Sequence, residues 1–246
     1  TKNLLVFDFG GGTCDVAVFR LSCPPESGCL SVATLAVSRY HRLGGGDIDQ
    51  AIFYDILLPQ IQEQNNLERH DLDFRDKKEI LEPIFVGVAE ELKMGICTRL
   101  ASGQEDDDEG MDFTQTCADE FSYKLFMGNE IKLTNPRLTA MEFDEILKPF
   151  LDPDIFILKE TEYRQTLSIF APIRDAIERC GLEENDIDLC LLAGGSCLIP
   201  QVVEAMDNYF PNAEMLTFAN ADAIQTAIAR GAALNASEIF IVHHRC

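Results

Sequence analysis

Residues 4–19 read LLVFDFGGGTCDVAVF. Two apolar segments, 4–9 and 14–21, stand on either side of three consecutive glycines, and this arrangement predicts a β-hairpin with a glycine bend. A side chain in the bend would collide with a ligand or forbid the backbone angles, whereas glycine lets successive amides point into one concavity. Such amides bind an anion without lysine. The segment alone predicts a phosphate-binding bend and an ordinary glycine-rich hairpin with equal weight.

Three polar residues border this bend. Asp8 precedes the glycines, and Thr13 and Asp15 follow them. Carboxylates in such positions commonly hold the hydrated Mg²⁺ that accompanies a polyphosphate. The hydroxyl of Thr13 is suited to the terminal phosphate. These residues fit a magnesium-assisted polyphosphate site around the hairpin, and they fit solvent-exposed acids on an ordinary hairpin equally well.

Two further glycine turns occur along the chain. The first, LGGGD at residues 43–47, precedes a helical pattern for which Asp47 is a suitable cap. The second, LLAGGS at 191–196, follows a predicted buried strand at 188–193 and precedes a helix that begins at Pro200. Each turn alone is weak evidence for a ligand. Together with the hairpin, they are much harder to dismiss as ordinary connections.

The segments between these turns show helix and strand patterns. They predict a helix bent or ended by Pro59, a long helix over 79–100, a helix after the capping box of Thr139 and Glu142, and a helix over 162–180. They also predict short strands at 111–116, 120–126 and 130–133, with a turn at Gly128-Asn129. The strands are expected to form one small second sheet. The composition of the acidic loop at 104–110 predicts that it is solvated. A cation site there is disfavoured, because regular calcium-loop spacing is absent.

The composition limits the classes of function. The chain has 246 residues, 46% of them hydrophobic, and 42 acidic against 20 basic side chains give a formal charge of -22. This charge disfavours nucleic acid and anionic membrane surfaces as partners. No apolar run reaches the ~18 residues of a membrane helix, and the amino end lacks signal-peptide features. We therefore expect an intracellular, cytoplasmic protein.

The nine cysteines are expected to be free thiols. Their number is odd, the chain is long, and no CxxC pair is present. His243, His244 and Cys246 could chelate a metal, but no second ligand cluster lies nearby in sequence. The cysteine pattern thus favours neither a disulfide framework nor a structural metal site.

Six segments, taken in order, resemble the second lobe of the ATPase domain of seventy-kilodalton heat-shock chaperones. They are LLVFDFGGGTCDVAVF, LGGGDID, AEELK, LTAMEFDEIL, LCLLAGGSCLIPQV and ANADAIQTAIARGAAL, within residues 4–234. The resemblance implies an α/β fold: an actin-like ATPase (ribonuclease H-like) lobe with a mixed sheet, flanking helices and an inserted α/β subdomain. The implied boundaries are 1–43 and 162–234 for the core, 44–161 for the insert and 235–246 for a tail.

The resemblance also implies roles for individual residues. Gly10, Gly11, Gly12 and Thr13 would hold the β- and γ-phosphates, and Gly45 would line the phosphate side. Asp8 and Asp15 would lie near Mg²⁺ (bound through water) and the attacking water. Gly194, Gly195 and Ser196 would lie against the adenosine and α-phosphate, Glu90 and Lys93 would reach the ribose, and Asp222 would lie near the base. The catalytic set would therefore be Asp8, Thr13 and Asp15. The implied cofactors are ATP or ADP and Mg²⁺.

The chain departs from the family pattern on the base side. The family sandwiches adenine between two arginines, and the matching positions are Met94 and Leu198. Loss of a guanidinium removes a cation–π contribution of ~0.5 to 2 kcal/mol per contact. Cys97 replaces a usual hydroxyl, Gly46 a glutamate and Cys14 a phenylalanine. Adenine preference is thus left open, whereas phosphate binding depends on backbone amides that these changes do not touch.

The function implied by the resemblance needs a second lobe. Mg-ATP would lie in the cleft between two lobes, and the first lobe would supply a further phosphate loop. This chain, which starts at Thr1, is expected to be a fragment that binds nucleotide weakly and does not hydrolyse it alone. In the whole protein, a co-chaperone or nucleotide-exchange factor and a client peptide would be partners. The alternative is a pseudo-ATPase that serves as a protein-interaction module.

Overall fold

The computed structural model describes residues 1–23, 30–38, 41–102, 113–126, 128, 130–155, 159–160, 165–218 and 221–243. The strands are β1 (Lys2–Phe9), β2 (Cys14–Ser22), β3 (Ser31–Val37), β4 (Thr114–Thr116), β5 (Glu120–Lys124), β6 (Glu130–Thr134), β7 (Arg137–Thr139), β8 (Lys159–Glu160), β9 (Gln165–Thr166), β10 (Leu189–Ala193) and β11 (Glu214–Leu216). The α-helices are α1 (Gly45–Ile52), α2 (Leu58–Gln64), α3 (Glu82–Ser102), α4 (Ala140–Leu151), α5 (Phe170–Cys180), α6 (Pro200–Tyr209) and α7 (Ala221–His243).

A mixed five-stranded sheet in the order β11-β10-β1-β2-β3 forms the centre of the structure. β1 pairs antiparallel with β2, which confirms the predicted hairpin, and β2 pairs antiparallel with β3. β1 also pairs parallel with β10, and β10 pairs parallel with β11. Leu5, Phe7 and Phe9 alternate along β1 and are fully buried between the sheet and its helices. The result is a mixed α/β fold with flanking helices.

The helix after the glycine turn at residues 43–47 has a different cap from the one predicted, and it does not end at Pro59. Asp47 is not the cap itself: the helix begins at Gly45, and the Asp47 carboxylate accepts from the Gly44 amide at 2.8 Å. Pro59 does not end the helix, which continues to Gln64. A proline ring clashes with the carbonyl four residues before it. The turn before Pro59, Phe53–Leu57, is π-helical and so accommodates the ring.

The long helix α3 shows the same feature. A π-helical turn, Asp76–Leu81, precedes it, and Pro83 is its second residue. The predicted helix over 79–100 is therefore present, with a wider first turn. Glu82, the first residue of α3, is buried; it accepts from Tyr54 of the first π-helical turn and pairs with Lys78 of the second at 2.7 Å. This polar network joins both π-helical turns to the start of α3.

The predicted second sheet is two separate two-stranded sheets, β4 with β7 and β5 with β6, in the described part of the chain. The β5–β6 hairpin is as predicted, and Gly128 has a φ of 86° at its turn; Asn129 lies outside the described residues. The capping box that starts α4 is confirmed, with the Glu142 amide donating to Thr139 Oγ1 at 3.1 Å. The acidic loop at 104–110 lies outside the described residues.

The carboxyl-terminal third follows its predicted order with shifted ends. α5 begins at Phe170 and not at residue 162, because residues 165–166 form β9. β10 and α6 are confirmed. α7 continues through residue 235 to His243, so the helix does not end where a tail was expected. None of the helices in the described ranges has the length and apolarity that a membrane span requires.

We predict that replacing Gly44 by alanine destabilises the fold by about 1 to 3 kcal/mol, the range for an overpacked site. Its φ of -163° suits any residue, but a Cβ would lie 2.4 Å from the Gly12 nitrogen and 2.5 Å from the Gly11 carbonyl carbon. The matched control is Gly87→Ala in the exposed middle of α3, where a Cβ meets open space; it should stabilise by roughly 0.5 to 1 kcal/mol. Urea unfolding measures both, and equal stability of the two variants would contradict the prediction.

Candidate functional site

The parallel pairing of β1 with β10 brings two glycine turns to one edge of the sheet. Asp8 is the partner of Ala193, so the two strands end side by side. The chain then enters the bend at Gly10 from β1 and the turn at Gly194 from β10. The bend closes on itself, since the Gly10 amide donates to the Thr13 carbonyl at 3.0 Å. Carboxyl ends of adjacent parallel strands are common places for ligand sites in α/β sheets.

The glycine turn at residues 43–47 docks on the same bend. The amides of Gly45 and Gly46 donate to the carbonyls of Gly10 and Gly11 at 2.9 Å and 2.8 Å. From the other side, the Ser196 hydroxyl donates to the Gly10 carbonyl at 2.9 Å. The structure therefore brings together all three turns that the sequence singled out.

The carbonyls of Gly10, Gly11 and Thr13 accept hydrogen bonds from within the chain, whereas three amides of the bend donate none within the described part of the chain. The amides of Gly11, Gly12 and Thr13 donate to no acceptor among the described residues. Gly11 and Gly12 are exposed, and a Cβ on either would meet no atom within 4 Å. Neither has a positive φ, so the expectation that their backbone angles forbid side chains is wrong. Packing within the chain thus does not account for these two glycines. The three free amides, which we call the cradle, are available to an anion.

Gly194 is required by a close approach. Its φ is 84°, and a Cβ would lie 2.4 Å from the Phe9 carbonyl oxygen and 2.6 Å from Asp8 Oδ1. The Asp8 carboxylate therefore lies directly over Gly194. Asp15 is the cross-strand partner of Asp8, so the two acidic side chains share one face of the hairpin. Burial, and then the charge of Asp15, raise the pKa of Asp8 above 3.8.

A buried ion pair lies behind the glycine turn at residues 43–47. Lys93 Nζ is 2.7 Å from Asp49 Oδ1, with side chains 10% and 5% exposed. The point where a Cβ on Gly45 would lie is 3.4 Å from that ammonium, 2.6 Å from Ser196 Oγ and 3.8 Å from the Gly10 carbonyl. Burial raises the pKa of Asp49 to about 6, although the neighbouring Lys93 lowers it. The pair, which we call the wall, therefore lies near the Gly10 carbonyl, on the protein side of the bend.

The family model described as Hsp70 protein matches residues 1–144 and 160–241. The chain belongs to the Hsp70 family. This confirms the resemblance drawn from the six segments, and it indicates a nucleotide-binding, chaperone-like ATPase domain. Hsp70 domains in general bind ATP or ADP together with Mg²⁺.

The residues at the junction of the turns fit such a ligand. Free amides suit phosphate oxygens, and two adjacent carboxylates at Asp8 and Asp15 suit a cation that relieves their repulsion. No group of three or more His, Cys, Asp or Glu side chains in the described ranges could hold a metal ion directly. A pair of acids fits a hydrated Mg²⁺ held through its water molecules, since this ion usually keeps several of them.

The other residues that the resemblance assigns to the nucleotide site are exposed. Glu90 is exposed on α3, and its charge raises the pKa of Asp49. Met94 and Leu198 are 60% and 42% exposed. Asp222 is exposed in the first turn of α7; its carbonyl accepts from Thr226. α7 packs against the short helical turn Gly195–Leu198, but no described contact joins Asp222 to the three turns.

Sequence reasoning missed two residues of this site. Gly44 is the residue on which the Gly11–Gly12 backbone rests, and only the folded contact shows that role. Asp49 follows Ile48 on a helix whose next apolar residues are Ala51 and Ile52, all buried. A carboxylate placed among apolar positions at helical spacing is a signal for a buried ion pair, and Lys93 was already singled out as a candidate.

We predict that Asp8→Asn stabilises the isolated chain at neutral pH, by on the order of 0.5 kcal/mol for this partly exposed site. The folded-state pKa of Asp8 lies above the unfolded value of 3.8, so its favourable contribution is present below that pH and is lost as pH rises through the folded pKa. The advantage of the variant should therefore grow from acidic to neutral pH and then level off. Urea unfolding from pH 3.5 to 7.5 measures it; a variant less stable than the natural protein at pH 7 would refute the assignment.

Proposed function

We propose that this chain is the nucleotide-binding second lobe of an Hsp70-type ATPase, which holds Mg-ATP or Mg-ADP at the cleft between lobes. The observation that carries the proposal is the set of free amides at Gly11, Gly12 and Thr13, in a bend whose exposed glycines have no internal packing role. Backbone amides aimed at one point are a general solution to phosphate binding. In this reading, the bend contacts the β- and γ-phosphates.

The sheet supports the finer reading of the fold. Three antiparallel strands followed by two parallel ones, in the order β3-β2-β1-β10-β11, suit a ribonuclease H-like lobe of the actin-like ATPase class. We assign residues 1–43 and 162–234 to the core and 44–161 to an inserted subdomain. The pairing of β1 with β10 across this long interval supports an insert, because the strands β4 to β9, which lie between β3 and β10 in the chain, form separate two-stranded sheets.

The residues around the bend would divide the work as follows. The Thr13 hydroxyl would donate a hydrogen bond to the terminal phosphate. Asp8 and Asp15 would orient water, including the water of a hydrated Mg²⁺. Mg²⁺, when bound, neutralises charge on the phosphates. Ser196 fixes the bend through its hydrogen bond to the Gly10 carbonyl. Gly45 has no Cβ, which would otherwise collide with Ser196 Oγ at 2.6 Å. Gly194 and Gly195 would lie against the α-phosphate and adenosine, and Glu90 and Lys93 would face the ribose.

Hydrolysis belongs to the complete two-lobed domain in this proposal. In-line attack by water requires phosphate contacts from both sides, and this chain provides those of one side. We therefore propose that the isolated chain binds nucleotide weakly without hydrolysing it. A nucleotide-exchange factor or co-chaperone and a client peptide are the proposed partners of the whole protein, with the cytoplasm as its proposed location.

A specific observation favours the alternative, a pseudo-ATPase that acts as an interaction module. Met94 and Leu198, at the proposed base side, are exposed apolar side chains. They provide no guanidinium to stack on adenine, so base affinity is expected to be low. The free amides and the Asp8–Asp15 pair favour nucleotide binding instead. Ligand-dependent unfolding separates the two readings.

We predict that Mg-ADP at ~100 times its dissociation constant raises the free energy of unfolding by ~2.7 kcal/mol, and that Gly11→Val abolishes this increase. The valine Cβ would enter open space in the chain itself, so the variant should keep its circular dichroism spectrum, but the side chain would obstruct the cradle. Gly87→Ala, remote from the bend, should keep the nucleotide response. A natural chain whose unfolding ignores millimolar Mg-ADP would support the interaction module; an unchanged response in Gly11→Val would mean that the phosphates bind elsewhere.

We also predict that Leu198→Arg tightens Mg-ADP binding by about 2- to 30-fold, the equivalent of ~0.5 to 2 kcal/mol for one cation–π contact. Leu198→Lys is the matched control, because it adds the same charge without a planar group that stacks. Titration calorimetry with Mg-ADP and with magnesium pyrophosphate separates base from phosphate effects. Arginine should act on Mg-ADP alone. Equal affinities for leucine and arginine would argue against this location of the base.

A further inference from the structure

The Asp49–Lys93 pair joins two helices behind the proposed phosphate cradle. Asp49 lies on α1 and Lys93 on α3, and their charged atoms are 2.7 Å apart. Both side chains are buried. The ammonium and the Gly10 carbonyl each lie within 4 Å of the same point, the position of a Cβ on Gly45. An anion on the amides that follow Gly10 would lie across the bend from this pair and would act on it electrostatically through a partly buried medium.

The charges around Asp49 are unbalanced. Lys93 is the cation that stabilises its carboxylate, whereas Glu90 on α3 and Asp47 on its own helix oppose it. The Cys97 thiol, also on α3, is a further titratable neighbour. The π-helical turn Phe53–Leu57 and α4 pack against α1 too, and among the described residues no charge from either is found to act on Asp49. The ionised state of Asp49 thus depends on one partner.

We propose that phosphate binding at the glycine bend is coupled to uptake of a proton by Asp49, through Lys93. This inference rests on the proposed nucleotide site. A bound polyphosphate adds negative charge beside the wall and attracts the ammonium, so it weakens the compensation of the Asp49 carboxylate. The carboxylate then takes one proton from solvent on an oxygen, and Lys93 keeps its charge for the phosphate. No covalent bond other than this O–H bond is formed.

The direction of the pH dependence follows from the same charges. With Asp49 ionised, the pair is neutral; with Asp49 protonated, the wall carries the positive charge of Lys93. Anion binding should therefore strengthen as the pH falls through about 6, the pKa of Asp49. If the ligand raises that pKa by about one unit, uptake at pH 6.5 is about half a proton per ligand.

The test is titration calorimetry of the natural chain and of Asp49→Asn with Mg-ADP at pH 6.5, in two buffers of different ionisation enthalpy. The buffer dependence of the heat gives the number of protons taken up. The natural chain should take up about half a proton more than Asp49→Asn. Titration of the ligand's own phosphate is common to both proteins and cancels in this difference. Glu91→Gln, an exposed change on α3 that is not among the charges acting on Asp49, should behave as the natural chain.

Each outcome has one meaning. Binding with equal proton uptake in the natural chain and Asp49→Asn overturns the coupling and leaves the nucleotide site standing. No binding heat and no change in unfolding overturn the nucleotide site and the coupling with it. Should Asp49→Asn fail to fold, carboxyl NMR titration of the natural chain gives the same answer. The Asp49 pKa must then be higher with Mg-ADP than without it, and an unchanged value refutes the coupling.

Discussion

The carbonyl oxygen of Gly10 holds the proposed site together. It accepts from the Gly45 amide and from the Ser196 hydroxyl, both at 2.9 Å, and so links the hairpin bend to the other two glycine turns. In a planar trans peptide unit the C=O of one residue and the N–H of the next point in opposite directions, so carbonyls of Gly10 and Gly11 that face the protein turn the amides of Gly11 and Gly12 away from it. The free amides of Gly11 and Gly12 are therefore a consequence of how the turns dock. The parallel register of β1 with β10 makes that docking possible.

The electrostatics of the site oppose stability in the absence of a ligand. Asp8 lies beside Asp15, and burial further penalises its charge. Asp49 is buried and depends on Lys93. Structures normally avoid such arrangements unless the charges have a use, and perturbed carboxylates close to unsatisfied donors are a common sign of a binding site. Here the acids and the amides complement one ligand, a polyanion with its cation, better than they complement each other.

The sequence predicted the parts of this site better than their arrangement. Local patterns identified the hairpin, the Thr139 capping box, β10 and α6, because each depends on neighbouring residues. They left open whether Pro59 bends or ends its helix; the helix continues, because a π-helical turn before the proline accommodates its ring. They also could not show that β1 pairs with β10, or that Gly44 supports the bend, since these contacts join residues far apart in the chain. The family resemblance supplied the order of the motifs, and the structure supplied their contacts.

The net charge explains why the proposed site uses the backbone. A chain with a formal charge of -22 repels a polyphosphate at long range. Amides carry no net charge, act only at short range, and need no counterion in the apo state. The ammonium of Lys93 is already neutralised by Asp49, so the wall adds little attraction while that carboxylate is ionised. A nucleotide that arrives as its magnesium complex carries less negative charge, and this lowers the repulsion that the amides must overcome. The acidic surface and the amide cradle are therefore compatible, provided that the cation arrives with the phosphate.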